Sequence, residues 1–236
     1  RVILKWVYRH VDKAFYVGSL NKAYFIKHGF TEEQLFYAPH AIDVERFADP
    51  NGKYLMQAIK WKKDLGISEN QQVVLFAGKL ERKKNPHFII ELARKLPNDK
   101  FVIVGSGPLK ACLEALAPKN CIFLDFQNQI NMPVIYRLAD VFILPSKGPG
   151  ETWGLAINEA LASGVPVFAS DKCGGAIDLI NELNGMVFDI ANLDLIKSIL
   201  ERGAYRRKTQ SNTSLLAPEF TYDFIVNTVS RIVNRE

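Results

Sequence analysis

Two carboxylates, Glu151 and Glu159, stand eight positions apart around the stretch Thr152-Trp153-Gly154-Leu155. The run before them, Pro145-Ser146-Lys147-Gly148-Pro149-Gly150, is rich in residues that interrupt regular structure, so a loop is expected there and a helix from about Gly154. The first amides of a helix have no intrahelical acceptor, and those of Gly154 and Leu155 would present positive partial charge to an anion. Glu159 follows Leu155 by about one turn, roughly 6 Å along the axis. That distance suits a ribose joined to a bound phosphate, since a carboxylate accepts hydrogen bonds from two neighbouring hydroxyls. Glu159 is also the sole ionisable side chain between Thr152 and Ser170, in a helix otherwise built of Leu155, Ala156, Ile157, Ala160, Leu161 and Ala162. A charge among such residues needs a partner, or must point to solvent. Glu151 lies nearer to where a sugar beyond the phosphates would sit, with Thr152 and Trp153 as neighbouring candidate sugar contacts. The alternative is a loop carboxylate favoured by the helix dipole alone.

Cations stand in a second loop, Gly78-Lys79-Leu80-Glu81-Arg82-Lys83-Lys84-Asn85-Pro86. Asn85 is the expected N-cap and Pro86 the first residue of the next helix. Lys79 and Lys84 would then clamp a diphosphate, whose charge grows as it departs; the competing reading is a solvated basic loop. A third turn, Gly105-Ser106-Gly107-Pro108-Leu109-Lys110, approaches a dinucleotide fingerprint, but Lys110 takes the place of its third glycine and Asp125 is followed directly by Phe126-Gln127-Asn128. It reads better as a tight turn lining a nucleotide pocket, with Gly78, Gly105, Gly107, Phe126 and Gln127 around the nucleoside. His10, His28, His40 and His87 are isolated from one another and from any ligand pattern, and no metal is expected. Neither a Gly-x-Ser-x-Gly elbow nor a zinc-binding helix is present, which argues against hydrolases.

The elements that must position these loops follow from hydrophobic spacing. Short β-branched or aromatic runs at 73–77, 101–104, 121–124, 141–144, 165–169 and 186–188 alternate with helical patterns such as Phe88, Ile89, Leu92, Ala93, Leu96 and Leu109, Leu113, Leu116. Such alternation predicts an α/β fold with a doubly wound parallel sheet, whose ligands bind beyond the carboxyl ends of the strands. Ahead of it, a strand at 14–17, a helix at 19–28 and a strand at 35–37 make no domain by themselves. The expected division is 1–38 as the remnant of a preceding domain, 39–50 as linker, 51–220 as the nucleotide-binding domain and 221–236 as a terminal crossover helix. The missing initiator Met and absent signal h-region favour a piece of a longer protein.

Composition adds bounds. The chain has 236 residues, 48% of them hydrophobic and 23% charged, and no stretch of about 20 apolar residues that could span a bilayer. Cys112, Cys121 and Cys173 show neither a paired framework nor metal-ligand spacing, as expected in a reducing compartment. A net charge of +5 suits anionic partners, and the loops favour a phosphorylated small molecule over nucleic acid.

Taken together these segments resemble glycosyltransferase family 4, the retaining enzymes of GT-B architecture, over nearly the whole chain. Glu151 and Glu159 match its Glu-x7-Glu pair, with Trp153-Gly154-Leu155 between them. Lys79 and Lys84 match its Arg and Lys diphosphate ligands, Lys79 offering an ammonium in place of a bidentate fork. Gly105-Ser106-Gly107-Pro108, the run 139–146, Ser170-Asp171 and Gly174-Gly175 also look like family segments, and Pro39-His40-Ala41-Ile42-Asp43 resembles its interdomain linker. The resemblance implies a Rossmann-like C-terminal half of a GT-B enzyme that transfers a hexose from a UDP- or GDP-linked donor to a glycan or lipid-linked acceptor. It implies no cofactor or essential metal, Glu159 on the ribose, Glu151 on the donor sugar, and the Gly154 and Leu155 amides on phosphate or sugar oxygens. Acceptor contacts would come from a missing N-terminal domain, so that this chain binds donor and transfers poorly. A cytoplasmic location is expected, with possible peripheral contact on the inner face of the membrane. Rival readings are a sugar-nucleotide epimerase, a non-catalytic nucleotide-sugar, membrane or partner-binding module, and a nicotinamide-dependent oxidoreductase.

Overall fold

A computed structural model of the chain describes residues 2–148, 151–203, 205 and 214–234. The order of elements is α1 (Val2–Tyr8), β1 (Ala14–Tyr16), α2 (Ser19–Lys27), β2 (Leu35–Tyr37), α3 (Val44–Phe47), α4 (Lys53–Asp64), β3 (Val73–Ala77), α5 (His87–Lys95), β4 (Lys100–Val104), α6 (Lys110–Leu116), β5 (Cys121–Leu124), α7 (Met132–Arg137), β6 (Val141–Leu144), α8 (Leu155–Ala162), β7 (Val167–Ser170), α9 (Ala176–Leu179), β8 (Gly185–Phe188), α10 (Leu193–Glu201) and α11 (Tyr222–Val233).

The chain divides into two units, Arg1–Asp43 with Ala217–Glu236 and Val44–Leu216. Their boundaries in the chain fall at 43/44 and 216/217. Arg137 gives the reason on the larger side: its guanidinium donates to the Phe47 carbonyl at 2.7 Å and lies 3.5 Å from the Asp49 carboxylate, fastening residues 44–49 to α7. In the smaller unit β1 and β2 pair in parallel, Ile42 bridges Thr221, and the Thr221 hydroxyl caps α11 by accepting from the Phe224 amide.

The larger unit carries a sheet of six strands, all parallel, in the order β5-β4-β3-β6-β7-β8. A sheet covered on both faces needs apolar residues at every position, and β3 is buried throughout. Val74, Phe76, Ile103, Val141 and Phe168 meet α5, α6 and α10 on one face through Ile89, Leu92, Leu113, Ile196 and Leu200. On the other face Tyr136 of α7 packs edge-on against Phe142 of β6 and against Phe47.

Two local expectations are corrected. Asn85 does not cap α5; it sits in the left-handed region with φ 54°, and Pro86 precedes the helix without a side-chain capping bond. The strand expected from Val165 starts two residues later, because the Val165 amide closes the end of α8 on the Ala160 carbonyl at 3.0 Å while Gly164 bonds Leu161. Among the described residues no helix is long and apolar enough to cross a membrane.

Candidate functional site

Chain order reverses between β3 and β6, since β3 leads outward to β4 and β5 while β6 leads outward to β7 and β8. In open α/β sheets such a reversal leaves a crevice beyond the strand ends. Here it is a cavity of roughly 520 Å³, lined among others by Gly78, Lys79, Lys84, Gly105, Gly107, Phe126, Gln127, Gln129, Tyr136, Ala156 and Glu159. The wall after β3 and β4 is two backbone segments held side by side: the Gly78 amide donates to Val104 at 3.0 Å and the Leu80 amide to Ser106 at 2.9 Å. Added β-carbons at Gly105 and Gly107 would lie 2.1 Å from the Gly78 oxygen and 2.5 Å from the Leu80 oxygen, so only glycine permits this approach.

Glu159 faces the cavity from α8. Its carboxylate accepts from the Tyr136 hydroxyl at 2.8 Å and from the Gln129 side-chain amide at 3.3 Å. These are the partners that its apolar helix demanded, and sequence reasoning missed both, because they reside on α7 and the turn before it. Tyr136 is fully buried; burial and the neighbouring Glu159 charge push its hydroxyl well above the usual tyrosine range. Burial raises the Glu159 carboxyl above its ordinary value, with the bonds from Tyr136 and Gln129 opposing the shift. Ionised Glu159 therefore costs the fold stability, a cost absent below the ordinary carboxylate range and incurred as pH rises through the raised value. Glu159→Gln is expected to melt above the parent protein at about pH 8, with the gap closing toward about pH 4. Calorimetric melting across that range checks it; a variant less stable at every pH contradicts the sign.

Lys84 and Glu151 are brought together. The Lys84 ammonium lies 2.5 Å from the Glu151 carboxylate, which also accepts from the Ser146 hydroxyl at 3.1 Å; Ser170 in turn donates to the Ser146 carbonyl at 2.6 Å. The pair is largely withdrawn from water, with side-chain exposures of 17% and 8%. Lys84 lines the cavity and Glu151 stands behind it. Lys79 is exposed and pairs with Glu81 at 3.3 Å.

The stretch after Glu151 is placed less as expected. Trp153 is buried, donates from its indole nitrogen to the Asn158 side chain at 2.8 Å, and has its ring against Gly175, where an added β-carbon would lie 2.8 Å away. That ring is turned into the protein and packs there. Gly174 and Gly175 hold this stretch from behind, their amides donating to the Glu151 and Trp153 carbonyls at 2.9 Å each. Thr152 is exposed, Gly154 is buried ahead of α8, and Leu155 begins the helix with its side chain partly in solvent. Of that first turn Ala156, rather than Gly154 or Leu155, reaches the cavity wall. Pro149 and Gly150 lie outside the described residues. Phe126 stands at the rim, 71% exposed, and the Gln127 side chain accepts from Asn131 at 3.0 Å. Among the described residues no group of three or more His, Cys, Asp or Glu side chains is arranged to hold a metal ion.

A six-stranded parallel sheet with a cavity at its reversal defines a Rossmann-like domain, of the kind that forms the C-terminal half of GT-B glycosyltransferases. Residues 57–214 match the family described as glycosyl transferases group 1, and the chain belongs to that family. It is 31% identical over 176 residues to the UDP-Gal:alpha-D-GlcNAc-diphosphoundecaprenol alpha-1,3-galactosyltransferase of Escherichia coli, covering 70% of this chain and 43% of that protein. It is 30% identical over 190 residues to a GDP-mannose-dependent alpha-mannosyltransferase of Corynebacterium glutamicum, covering 80% of this chain and 43% of that one. The chain thus spans under half the length of either relative. Anabaena HepE, solved in complex with UDP, superposes with a TM-score of 0.81 at 20% identity over 100% of this chain and 67% of its own, a likeness of fold.

Proposed function

We propose that this chain is the donor-binding part of a retaining family 4 glycosyltransferase that transfers a hexose from a UDP- or GDP-linked donor to a glycan or lipid-linked acceptor. One observation carries the reading: the cavity at the sheet reversal has lysine ammonium groups on one wall and, on the other, a carboxylate held open by two hydrogen-bond donors. In this reading Glu159 accepts from the ribose hydroxyls, and Gly78, Gly105, Gly107, Phe126 and Gln127 surround the nucleoside. Lys79 and Lys84 take the diphosphate together with the Gly154 and Leu155 amides. When the diphosphate draws Lys84 away, Glu151 is released to accept from the donor sugar, and Thr152 borders the same space.

The bond from the anomeric carbon to the diphosphate oxygen breaks as the acceptor oxygen bonds that carbon on the same face, and the acceptor proton passes to the leaving diphosphate. Two ammonium groups supply the charge that the departing diphosphate needs, without a metal or cofactor. The smaller unit belongs, in this reading, to an acceptor-side domain, and the net charge of +5 supports peripheral contact with an anionic membrane on its cytoplasmic face. The names of the two relatives include a UDP-linked and a GDP-linked sugar, so both nucleotides are to be tested. Calorimetric titration with UDP and GDP is expected to show binding to one, weakened by roughly 1 to 3 kcal/mol in Glu159→Ala and in Lys84→Ala, the scale of a lost charged hydrogen bond. Absence of binding to either nucleotide overturns the reading.

A further inference from the structure

A second cleft, of roughly 290 Å³, lies between α4 and α7, lined by Gln57, Lys60, Trp61, Asp64, Asn131 and Val134. That volume falls just below the range of about 300 to 1,000 Å³ usual for drug-sized ligands, room for a single small ring. Gln57, Lys60, Trp61 and Asp64 are spaced i, i+3, i+4 and i+7, which places them on one stripe of α4. The stripe lies on the solvent-facing edge of α4, with Gln57, Lys60 and Asp64 exposed and Trp61 half-buried, and it presents an amide, an ammonium, an indole and a carboxylate. Among the described residues none of these four side chains makes a hydrogen bond, ion pair or ring contact, and Lys60 and Asp64 remain apart although one turn separates them. Val134 supplies a buried apolar floor, and Asn131 donates one amide hydrogen to Gln127 at 3.0 Å, leaving its carbonyl oxygen as an acceptor.

We propose that this cleft binds a neutral pyranose unit of a saccharide. The apolar C–H face of a sugar ring lies flat on an indole, while its hydroxyls donate to a carboxylate or amide oxygen and accept from an ammonium or amide nitrogen. One cation and one anion leave the site without net charge, so that Asp64 opposes a phosphate or polyanion. An aliphatic chain laid in the same place would strip water from four polar side chains and return no hydrogen bonds. The cleft is distinct from the donor cavity, whose wall uses Gln127, Gln129 and Met132 of the same segment, so the turn leading into α7 separates the two. The proposal does not depend on donor binding.

The test is saturation-transfer NMR with methyl α-D-glucopyranoside, methyl α-D-galactopyranoside and methyl α-D-mannopyranoside, together with the indole N–H resonance of Trp61 in nitrogen-labelled protein. The expected result is saturable binding of at least one glycoside that shifts the Trp61 resonance and that Trp61→Ala lowers about three- to tenfold, the scale of one lost aromatic contact. Asp64→Asn is expected to lower it about threefold or more, the scale of one weakened polar bond, and this exposed substitution decides the outcome if Trp61→Ala fails to fold. Glu159→Ala leaves glycoside binding unchanged, and Trp61→Ala leaves UDP or GDP binding unchanged. No transfer from any of the three glycosides overturns the proposal, as does transfer that survives both cleft substitutions or that UDP competes away.

Discussion

Lys84→Met is expected to destabilise the larger unit by about 3 kcal/mol at neutral pH, the scale for removing one partner from a buried ion pair. The Glu151 carboxylate loses a cation 2.5 Å away and keeps the Ser146 hydroxyl at 3.1 Å, in a place where its side chain is 8% exposed. Folding the variant must then strip water from a charge that has lost its main compensation. Lys84→Met combined with Glu151→Gln removes the charge as well and should recover most of the loss, since an amide can still accept from Ser146. Urea unfolding of the parent, both single variants and the double variant measures the coupling directly. Strict additivity of the two substitutions would show that the contact contributes nothing. Nucleotide binding separates the two roles of Lys84: the double variant is stable and binds no better than the single one, because the diphosphate has lost its cation in both.

Gly105→Ala is expected to cost about 3 to 4 kcal/mol, the range of a backbone clash added to a disfavoured conformation. Its φ of +138° is one that side chains rarely adopt, and the new β-carbon would sit 2.1 Å from the Gly78 carbonyl oxygen. That oxygen belongs to the backbone, and the neighbouring amide of Gly78 is tied to Val104 at 3.0 Å, so the clash is relieved only by moving the cavity wall. Gly66→Ala provides the control. Its φ is +67° and nothing lies within 4 Å of an added β-carbon, so the conformational cost alone, about 1 kcal/mol, remains. Unfolding of both variants by circular dichroism, with nucleotide titration of the survivors, tests the contrast. Equal losses at the two glycines would show that close approach is not what Gly105 provides.

The strands of the sheet were legible because each is a short buried run between stretches of helical period, and burial on both faces leaves little choice of residue. Their parallel direction follows from the alternation, and with it the placing of the crevice beyond their carboxyl ends. Gly78, Lys79, Lys84, Gly105, Gly107, Phe126, Gln127 and Glu159 all reach that crevice as the spacing of their loops suggested. What escaped depends on contacts between segments far apart in sequence. Tyr136 reads as one more apolar residue of α7, and its meeting with Glu159 exists only once α7 and α8 lie on the same face of the sheet. Trp153 beside Glu151 looks like part of a binding loop, yet Gly175, which its ring covers, belongs to the turn after β7. Lys84 and Glu151 each read as a ligand contact, and nothing local shows that they neutralise one another. Asn85 has the composition of a cap, but the loop crosses into α5 by a left-handed residue instead.

The reversal of strand order has a consequence for how the cavity comes into being. Strands β3, β4 and β5 pair in chain order, as do β6, β7 and β8, and each half can assemble through right-handed crossovers of modest length. The seam between them joins Val74 to Val141 and Leu75 to Phe142 across everything folded in between. Within the sheet, this pairing demands the largest loop closure and rewards it last. The cavity is a property of that seam alone. The glycine turns belong to one half-sheet and the Glu159 helix to the other, so the cavity has both walls only where the seam is closed.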